Sequence, residues 1–314
     1  MIQFDLKDIG VIDKEKQTVA LELFNSLYVF KEKRCTFKIN ETQIIGGYGV
    51  LEGAIRIDAH GKSLCIIKHP KDKSFSIYNE AVLQYISYIT LKKYGLQWCV
   101  AKVYDIFNKQ SIIHFSMQYI KGCQLHTFLL KSLTPERDFI YCLLQLSIAL
   151  YYLSNDIHLD HRDLRYANVF VVAEEKNIHY SIAGLEYTLD TPFHICLLDF
   201  GFACIGKNTT IINASEGIFH SSERCSKPGR DIFQLLCSLW SIQEVRYRMS
   251  NEFQSTVDSW FTYKDINYSS LAKHIKKADW SYVLTSEPMF TFPPLLPENL
   301  IKILNDLKNK MYLN

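Results

Sequence analysis

Two short polar clusters, each flanked by an apolar run, carry the side chains best suited to handling a hydroxyl and a divalent cation. The first is His161-Arg162-Asp163-Leu164-Arg165-Tyr166-Ala167-Asn168, followed by Val169-Phe170-Val171. The second, Asp199-Phe200-Gly201, ends the run Cys196-Leu197-Leu198. The Asp163 carboxylate can accept or orient the proton of an attacking hydroxyl. Asn168 lies five residues on, where its carbonyl oxygen can reach back to a magnesium ion. Asp199 adds a carboxylate, and magnesium prefers hard oxygen ligands of this kind. Arg165, two positions after Asp163, adds a fixed positive charge to the same cluster.

Elements able to position these groups are legible around them. Ile44 to Ala54 reads as a strand, a glycine turn containing Gly47 and Gly49, and a second strand. A plain hairpin explains that stretch as well as a glycine-rich loop does. Leu64-Cys65-Ile66-Ile67-Lys68 is an apolar strand ending in a cation. Between Ser74 and Tyr104 the one acidic residue is Glu80. It borders the stripe Tyr78, Val82, Tyr85 and Ile89, whose period is that of a half-buried helix, so Glu80 can point inward to Lys68. Val100 to Phe107 and Ile112 to Ile120, separated by Asn108-Lys109-Gln110, read as a hairpin. Phe139, Leu143, Leu146, Leu150 and Leu153 recur at helical spacing with further apolar residues between them, which places that helix in a core.

The ordered set resembles the eukaryotic protein kinase superfamily: H-R-D-L-x-x-x-N, then D-F-G, preceded by a glycine turn and a strand ending in Lys. The resemblance covers Lys38 to the C-terminus. It implies an α+β, bilobal fold, with a small antiparallel-sheet N-lobe plus helix and a mainly helical C-lobe. The division expected is 1–37 as an extension packed on the small lobe, 38–120 as the N-lobe and 121–314 as the C-lobe. It also implies ATP and Mg2+ as cofactors, with Asp163 as base and Asn168 and Asp199 as metal ligands. Lys68 would hold the nucleotide's inner phosphates and pair with Glu80. Arg165 stands where many kinases carry Lys. Met117-Gln118-Tyr119-Ile120-Lys121-Gly122 resembles the hinge, with Met117 as gatekeeper and the Gln118 carbonyl and Ile120 amide facing adenine. In the glycine loop Gly47 and Gly49 fill the first two glycine positions. The third falls either on Glu52 or, with one extra residue, on Gly53.

The stretch from Asp163 to Asp199 is longer than in ordinary protein kinases, and Ile178 to Leu189 within it reads as an extended hairpin. No A-P-E follows D-F-G, and Gly229-Arg230-Asp231-Ile232-Phe233 reads as the start of a central helix, with Asp231 placed to bond the catalytic-loop backbone. These features resemble the haspin branch, which implies a Ser/Thr acceptor, a histone H3 tail as substrate and a nuclear location; outside that branch the expected location is cytoplasmic. Haspins carry D-Y-T where this chain has D-F-G, and His where it has Arg165.

Composition fits one such domain. Of 314 residues, 48% are hydrophobic, enough for a packed core. A net charge of +2 gives no reason to expect a nucleic-acid surface. No apolar run is long enough for a membrane span, no signal peptide is visible, and a monomer is expected. The nine scattered cysteines read as reduced intracellular thiols. Asp156, Asp160, Glu186 and Asp190 are candidate acids around a cleft receiving a basic tail. Three functional classes fit: a Ser/Thr protein kinase, a small-molecule kinase of the same fold, and a pseudokinase scaffold. Arg162, D-F-G and the hinge favour the first over the second. The intact set Lys68, Glu80, Asp163, Asn168 and Asp199 disfavours the third.

Overall fold

The computed structural model describes residues 35–311 apart from 46–48, 73–74, 110, 208–209, 211, 216–222 and 276–278. The expected N-terminal extension, Gly47 and the turn of the glycine loop therefore lie outside the described residues. The chain is bilobal and α+β. Its first lobe is a five-stranded antiparallel sheet of β1 (Thr36–Ile45), β2 (Gly49–Asp58), β3 (Gly61–Pro70), β4 (Val103–Lys109) and β5 (Ile112–Gln118), in the order β1-β2-β3-β5-β4. One helix, α1 (Tyr78–Lys92), packs against it. Its buried residues include Val82 and Tyr85 of the expected stripe, and Glu80 lies inward with them. The β4–β5 hairpin forms as expected, although β4 starts at Val103 and takes in Asn108 and Lys109 of the expected turn, and β5 ends at Gln118, two residues early, as the chain crosses to the second lobe.

The second lobe is built round α3 (Pro135–Ile157), which follows β6 (Cys123–Gln124) and α2 (Leu125–Lys131). Proline at its first turn suits the unpaired amides there, and His158 in left-handed conformation closes its end by donating to Leu153 and Ser154 carbonyls. Phe139, Leu143, Leu146, Leu150 and Leu153 are all buried, so the all-round apolar pattern does mark a core helix. Beyond it come β7 (Leu159–Asp160), β8 (Val169–Val172), the hairpin β9 (Lys176–Ile182) and β10 (Leu185–Thr191), and β11 (His194–Leu197). The hairpin's inner face, Ile178, Tyr180, Ile182 and Leu189, is buried. The Tyr180 hydroxyl donates to Asn305 Oδ1 (3.0 Å), and Tyr152 on α3 donates to the Ser181 carbonyl (3.2 Å). After β12 (Cys204–Ile205) and β13 (Ile212–Asn213), the chain enters α4 (Arg230–Trp240), α5 (Gln243–Tyr247) and α6 (Asn251–Trp260). The short pair β14 (Thr262–Tyr263) and β15 (Ile266–Asn267) precedes α7 (Ser269–His274), α8 (Asp279–Ser286) and α9 (Pro297–Met311). Among the described residues no helix is long and apolar enough to cross a membrane.

Two expectations fail. The thiols are not all reduced: Cys204 and Cys225 are joined in a disulfide, with Cα atoms 5.8 Å apart. Pairing of β12 with β7 holds Cys204 beside the segment that leads into α4, within bridging distance of Cys225. The other seven cysteines are free. Nor is Asp160 open to a cleft. Asp160 is buried, ion-paired to Arg230 (3.2 Å) and accepting the Lys227 amide (2.9 Å). Asp156 accepts from the Tyr94 hydroxyl at the end of α3, and Glu186 and Asp190 lie on the hairpin.

Candidate active site

Strand pairing brings the two polar clusters together. β8 and β11 run antiparallel with Leu197 opposite Val169, so Asn168 and Asp199 leave adjacent strands at the same end. The Leu198 amide donates to the Asn168 carbonyl (2.9 Å), and His161 Nε2 lies 3.1 Å from the Leu198 carbonyl. From the sheet lobe, β3 carries Lys68 opposite Leu51 on β2 and Phe115 on β5. Gly49 lies over it: a Cβ there would stand 3.0 Å from Lys68 Cε, so glycine is what lets the lysine stem pass.

Lys68 Nζ donates to Glu80 Oε1 (2.5 Å) and to Asp199 Oδ1 (2.9 Å), tying the helix α1 and the second lobe to one ammonium. Burial raises the Glu80 carboxyl to about 7 against the pull of that ammonium. Burial alone would lower Lys68, but the two carboxylates hold it above its ordinary value. Burial would likewise raise Asp199, yet the Lys68 ammonium keeps it below the usual carboxylate range.

Asn168 Nδ2 donates both to the Asp163 carbonyl (2.8 Å) and to Asp163 Oδ2 (2.9 Å). Its amide oxygen is then the polar atom it has left to offer. Asp199 keeps 45% of its side chain exposed to the cleft. A carboxylate and an amide oxygen, both hard donors, fit a magnesium ion. Asp163 is otherwise buried, with Arg165 Nε 3.5 Å from Oδ1 and half of the arginine side chain in solvent. That arrangement can hold a hydroxyl at Asp163 Oδ1, with positive charge at its side and a cation site between Asn168 and Asp199. Met117 on β5 accepts a contact from Gln84 Nε2 at its sulfur (3.5 Å), whereas Gln118 is exposed and its amide donates to the Lys102 carbonyl (2.8 Å). Ile120 accepts from the Gly122 amide (3.1 Å) on the segment that connects the two lobes.

Asp231, in the first turn of α4, does bond the loop backbone: it accepts from the amides of His161 (2.8 Å) and Arg162 (2.9 Å). Those two bonds hold Arg162 in a left-handed conformation (φ 62°), and Asp199 is left-handed as well (φ 61°). Sequence reasoning missed three parts. Glu223 is buried and ion-paired to Arg230 (2.8 Å) and Lys227 (3.2 Å), anchoring the segment before α4. Arg162 donates to Asn213 Oδ1 (3.5 Å) and to the Arg224 carbonyl (3.4 Å), so it is occupied by that same segment. Tyr282 on α8 donates its hydroxyl to Asp163 Oδ1. Buried charge beside an i+4 cation could have flagged Glu223 and Lys227; nothing local flags Tyr282.

The profile of the family described as "Protein tyrosine and serine/threonine kinase" matches residues 43–206, more than half of the chain. A viral protein, "Probable kinase 098L" of Invertebrate iridescent virus 3, is 27% identical over 135 residues. That match takes in 41% of this chain and 25% of the viral protein, so it spans about a quarter of that relative's length. The family match begins in β1 and ends just past β12, and so contains every strand that carries Lys68, Asp163, Asn168 and Asp199 to the cleft. The chain therefore belongs to the protein tyrosine and serine/threonine kinase family.

Proposed function

We propose that the protein transfers the γ-phosphate of magnesium-bound ATP to a hydroxyl of a protein substrate. The observation that carries this reading is Lys68, which joins Glu80 and Asp199 within one cleft while Asn168 fixes Asp163 at its floor. Phosphoryl transfer asks mainly for positioning and charge stabilisation, and these are the groups that supply them. Lys68 holds the inner phosphates, with Gly49 set close over its stem; Gly47 is the other glycine proposed for that loop. Asn168 and Asp199 would hold the magnesium ion, which neutralises phosphate charge when bound. The hinge through Met117, Gln118 and Ile120 takes adenine. Asp163 orients the acceptor hydroxyl and receives its proton, with Arg165 beside it. In this reading residues 38–120 and 121–314 are the two lobes of one monomeric kinase domain, behind an extension over 1–37.

The acceptor class we propose is Ser/Thr, and the branch haspin-like. Support for the branch is the long β9–β10 insertion before Asp199 and the entry into α4 at Asp231. A histone H3 tail and a nuclear location follow from that branch. The test is transfer from ATP with magnesium to an H3 N-terminal peptide, beside a generic basic peptide and an Asp163→Ala control. Transfer to the H3 peptide alone, lowered by about two to four orders of magnitude in the control, is expected. Transfer to the generic peptide alone removes the branch. Activity retained in Asp163→Ala refutes the role given to that residue.

A further inference from the structure

The hydrogen bond from Tyr282 to Asp163 Oδ1 is made by a residue 119 positions away, on the helix α8. α8 is not loosely placed there. Lys227 Nζ donates to the Thr285 (2.7 Å) and Ser286 (3.0 Å) carbonyls, closing the helix's C-terminal end. Gln234 Nε2 donates to Thr285 Oγ1 (2.9 Å), and the Trp280 ring stands edge-on to Phe233 of α4, 5.9 Å between centroids. Ser281 and Thr285 are buried. Both anchors, Lys227 and α4, belong to the frame that also holds the catalytic loop through Asp231. The helix is thus fixed at one end and along one face, with Tyr282 aimed at the carboxylate.

Asp163 has two oxygens with different partners. Oδ2 is taken by Asn168, a fixed internal contact. Oδ1 is the one turned to Arg165 and to the cleft, and it receives the Tyr282 hydroxyl. A hydroxyl that donates to this oxygen is in the position an acceptor would take in the reaction proposed above. We propose that Tyr282 is an internal phosphoacceptor, occupying the acceptor position in cis and receiving the phosphoryl group from the chain's own catalytic centre. The proposal rests on the phosphotransfer reading, and it adds one tyrosine, presented in cis, to the Ser/Thr class proposed for external acceptors.

The step balances without a further reagent. The Tyr282 phenolic oxygen forms a bond to the γ-phosphorus of the nucleoside triphosphate. The bond from that phosphorus to the β,γ-bridging oxygen breaks, and ADP leaves with its electron pair. The phenolic proton passes to the Asp163 carboxylate and then to solvent. The product cannot return to its starting pose: the phosphoester has no proton to donate to Asp163, and its negative charge faces a carboxylate. Tyr282 therefore leaves Oδ1 once modified, and an external hydroxyl can take its place. Until then Tyr282 competes with every external acceptor.

The experiment incubates the full chain with ATP and magnesium, maps phosphotyrosine by mass spectrometry, and follows transfer to a basic Ser/Thr peptide in parallel. Expected are label on Tyr282, with a rate constant unchanged over a fiftyfold dilution, and a lag in peptide transfer that pre-incubation with ATP removes. An Asp163→Asn chain mixed with active protein should stay unlabelled at Tyr282. Tyr282→Phe should abolish the lag and lower the peptide KM by about tenfold, since a hydrogen bond to a charged group no longer competes. Peptide transfer with no label on Tyr282 overturns the proposal and leaves the phosphotransfer reading standing. Label that appears on the Asp163→Asn chain in the mixture overturns the cis assignment. No transfer to either acceptor, with nucleotide bound, overturns both readings together.

Discussion

Reduction of the Cys204–Cys225 bond is the sharpest test of how the segment after D-F-G is held. The two cysteines are 21 residues apart, and both are fully buried. Closing a loop of that length removes conformational entropy from the unfolded chain. With 22 residues in the ring the chain-entropy relation gives about 11 cal/mol/K, or about 3 kcal/mol at 25 °C. The folded segment has other restraints that survive reduction: β12 stays paired with β7 and β13, and Glu223 stays with Arg230. Reduction should therefore lower stability without unfolding the lobe. Reduced wild-type protein is the cleaner perturbation, because a Cys204→Ala/Cys225→Ala chain also leaves space where two buried sulfurs were. Thiol titration in denaturant should find seven reactive groups before reductant and nine after it. Urea unfolding of the oxidised and reduced forms should then differ by about 3 kcal/mol in the same direction as the double variant. Nine thiols before reduction, or a difference below about 1 kcal/mol, refutes the reasoning.

Three further outcomes can be checked independently. Asp199→Ala should weaken magnesium-dependent ATP binding by at least about tenfold, measured by calorimetry with and without the metal, and an equal affinity in both would count against the ligand role. Burial and the neighbouring Arg230 lower the Lys227 ammonium from 10.5 to about 8. Between those values the unfolded chain holds a proton that the folded chain has released, so this group makes stability rise with pH from about 8 to 10.5. The difference in unfolding free energy between wild type and Lys227→Met should slope upward over that window; a flat difference removes the shift. Ala183 at the tip of the β9–β10 hairpin is left-handed (φ 52°) and exposed, followed by Gly184 (φ 79°), a pair of conformations typical of a two-residue turn. Ala183→Gly should raise stability by about 1 kcal/mol in thermal or urea unfolding, and a loss would show that the tip is not strained.

What was legible in the sequence was local or periodic. The H-R-D and D-F-G groups each lie within eight residues, and the stripe of α1 marks its inward face, so the sequence alone names Lys68, Glu80, Asp163, Asn168 and Asp199, and the structure joins Lys68 to Glu80 and Asp199 and Asn168 to Asp163. The hairpin of the insertion was readable for the same reason: two alternating runs with a gap at Ala183-Gly184. The disulfide was not, because a bridge across 21 residues has no spacing rule and a chain of this size needs none to fold. Asp160 was misassigned to a cleft because an isolated aspartate reads as exposed, whereas here Arg230, 70 residues on, neutralises it in the interior. Tyr282 was invisible for a related reason. Its role comes from where α4 and Lys227 set a short helix, and no pattern within residues 279–286 encodes that.

The partnership between Tyr180 and Asn305 also bears on how the chain is made. Their hydrogen bond spans 125 positions, and α9, which carries Asn305, packs along α3 as well. A ribosome adding ~10 residues per second needs on the order of ten seconds to deliver that stretch. For that interval the outer side of α3 and the hairpin's apolar strands have emerged without their cover. The nascent second lobe is then a substrate for chaperones or for misassociation, and rare codons between the hairpin and α9 would prolong its exposure. Substitutions that weaken α9 should accordingly reduce yield in cells more than their effect on the finished protein's stability would suggest.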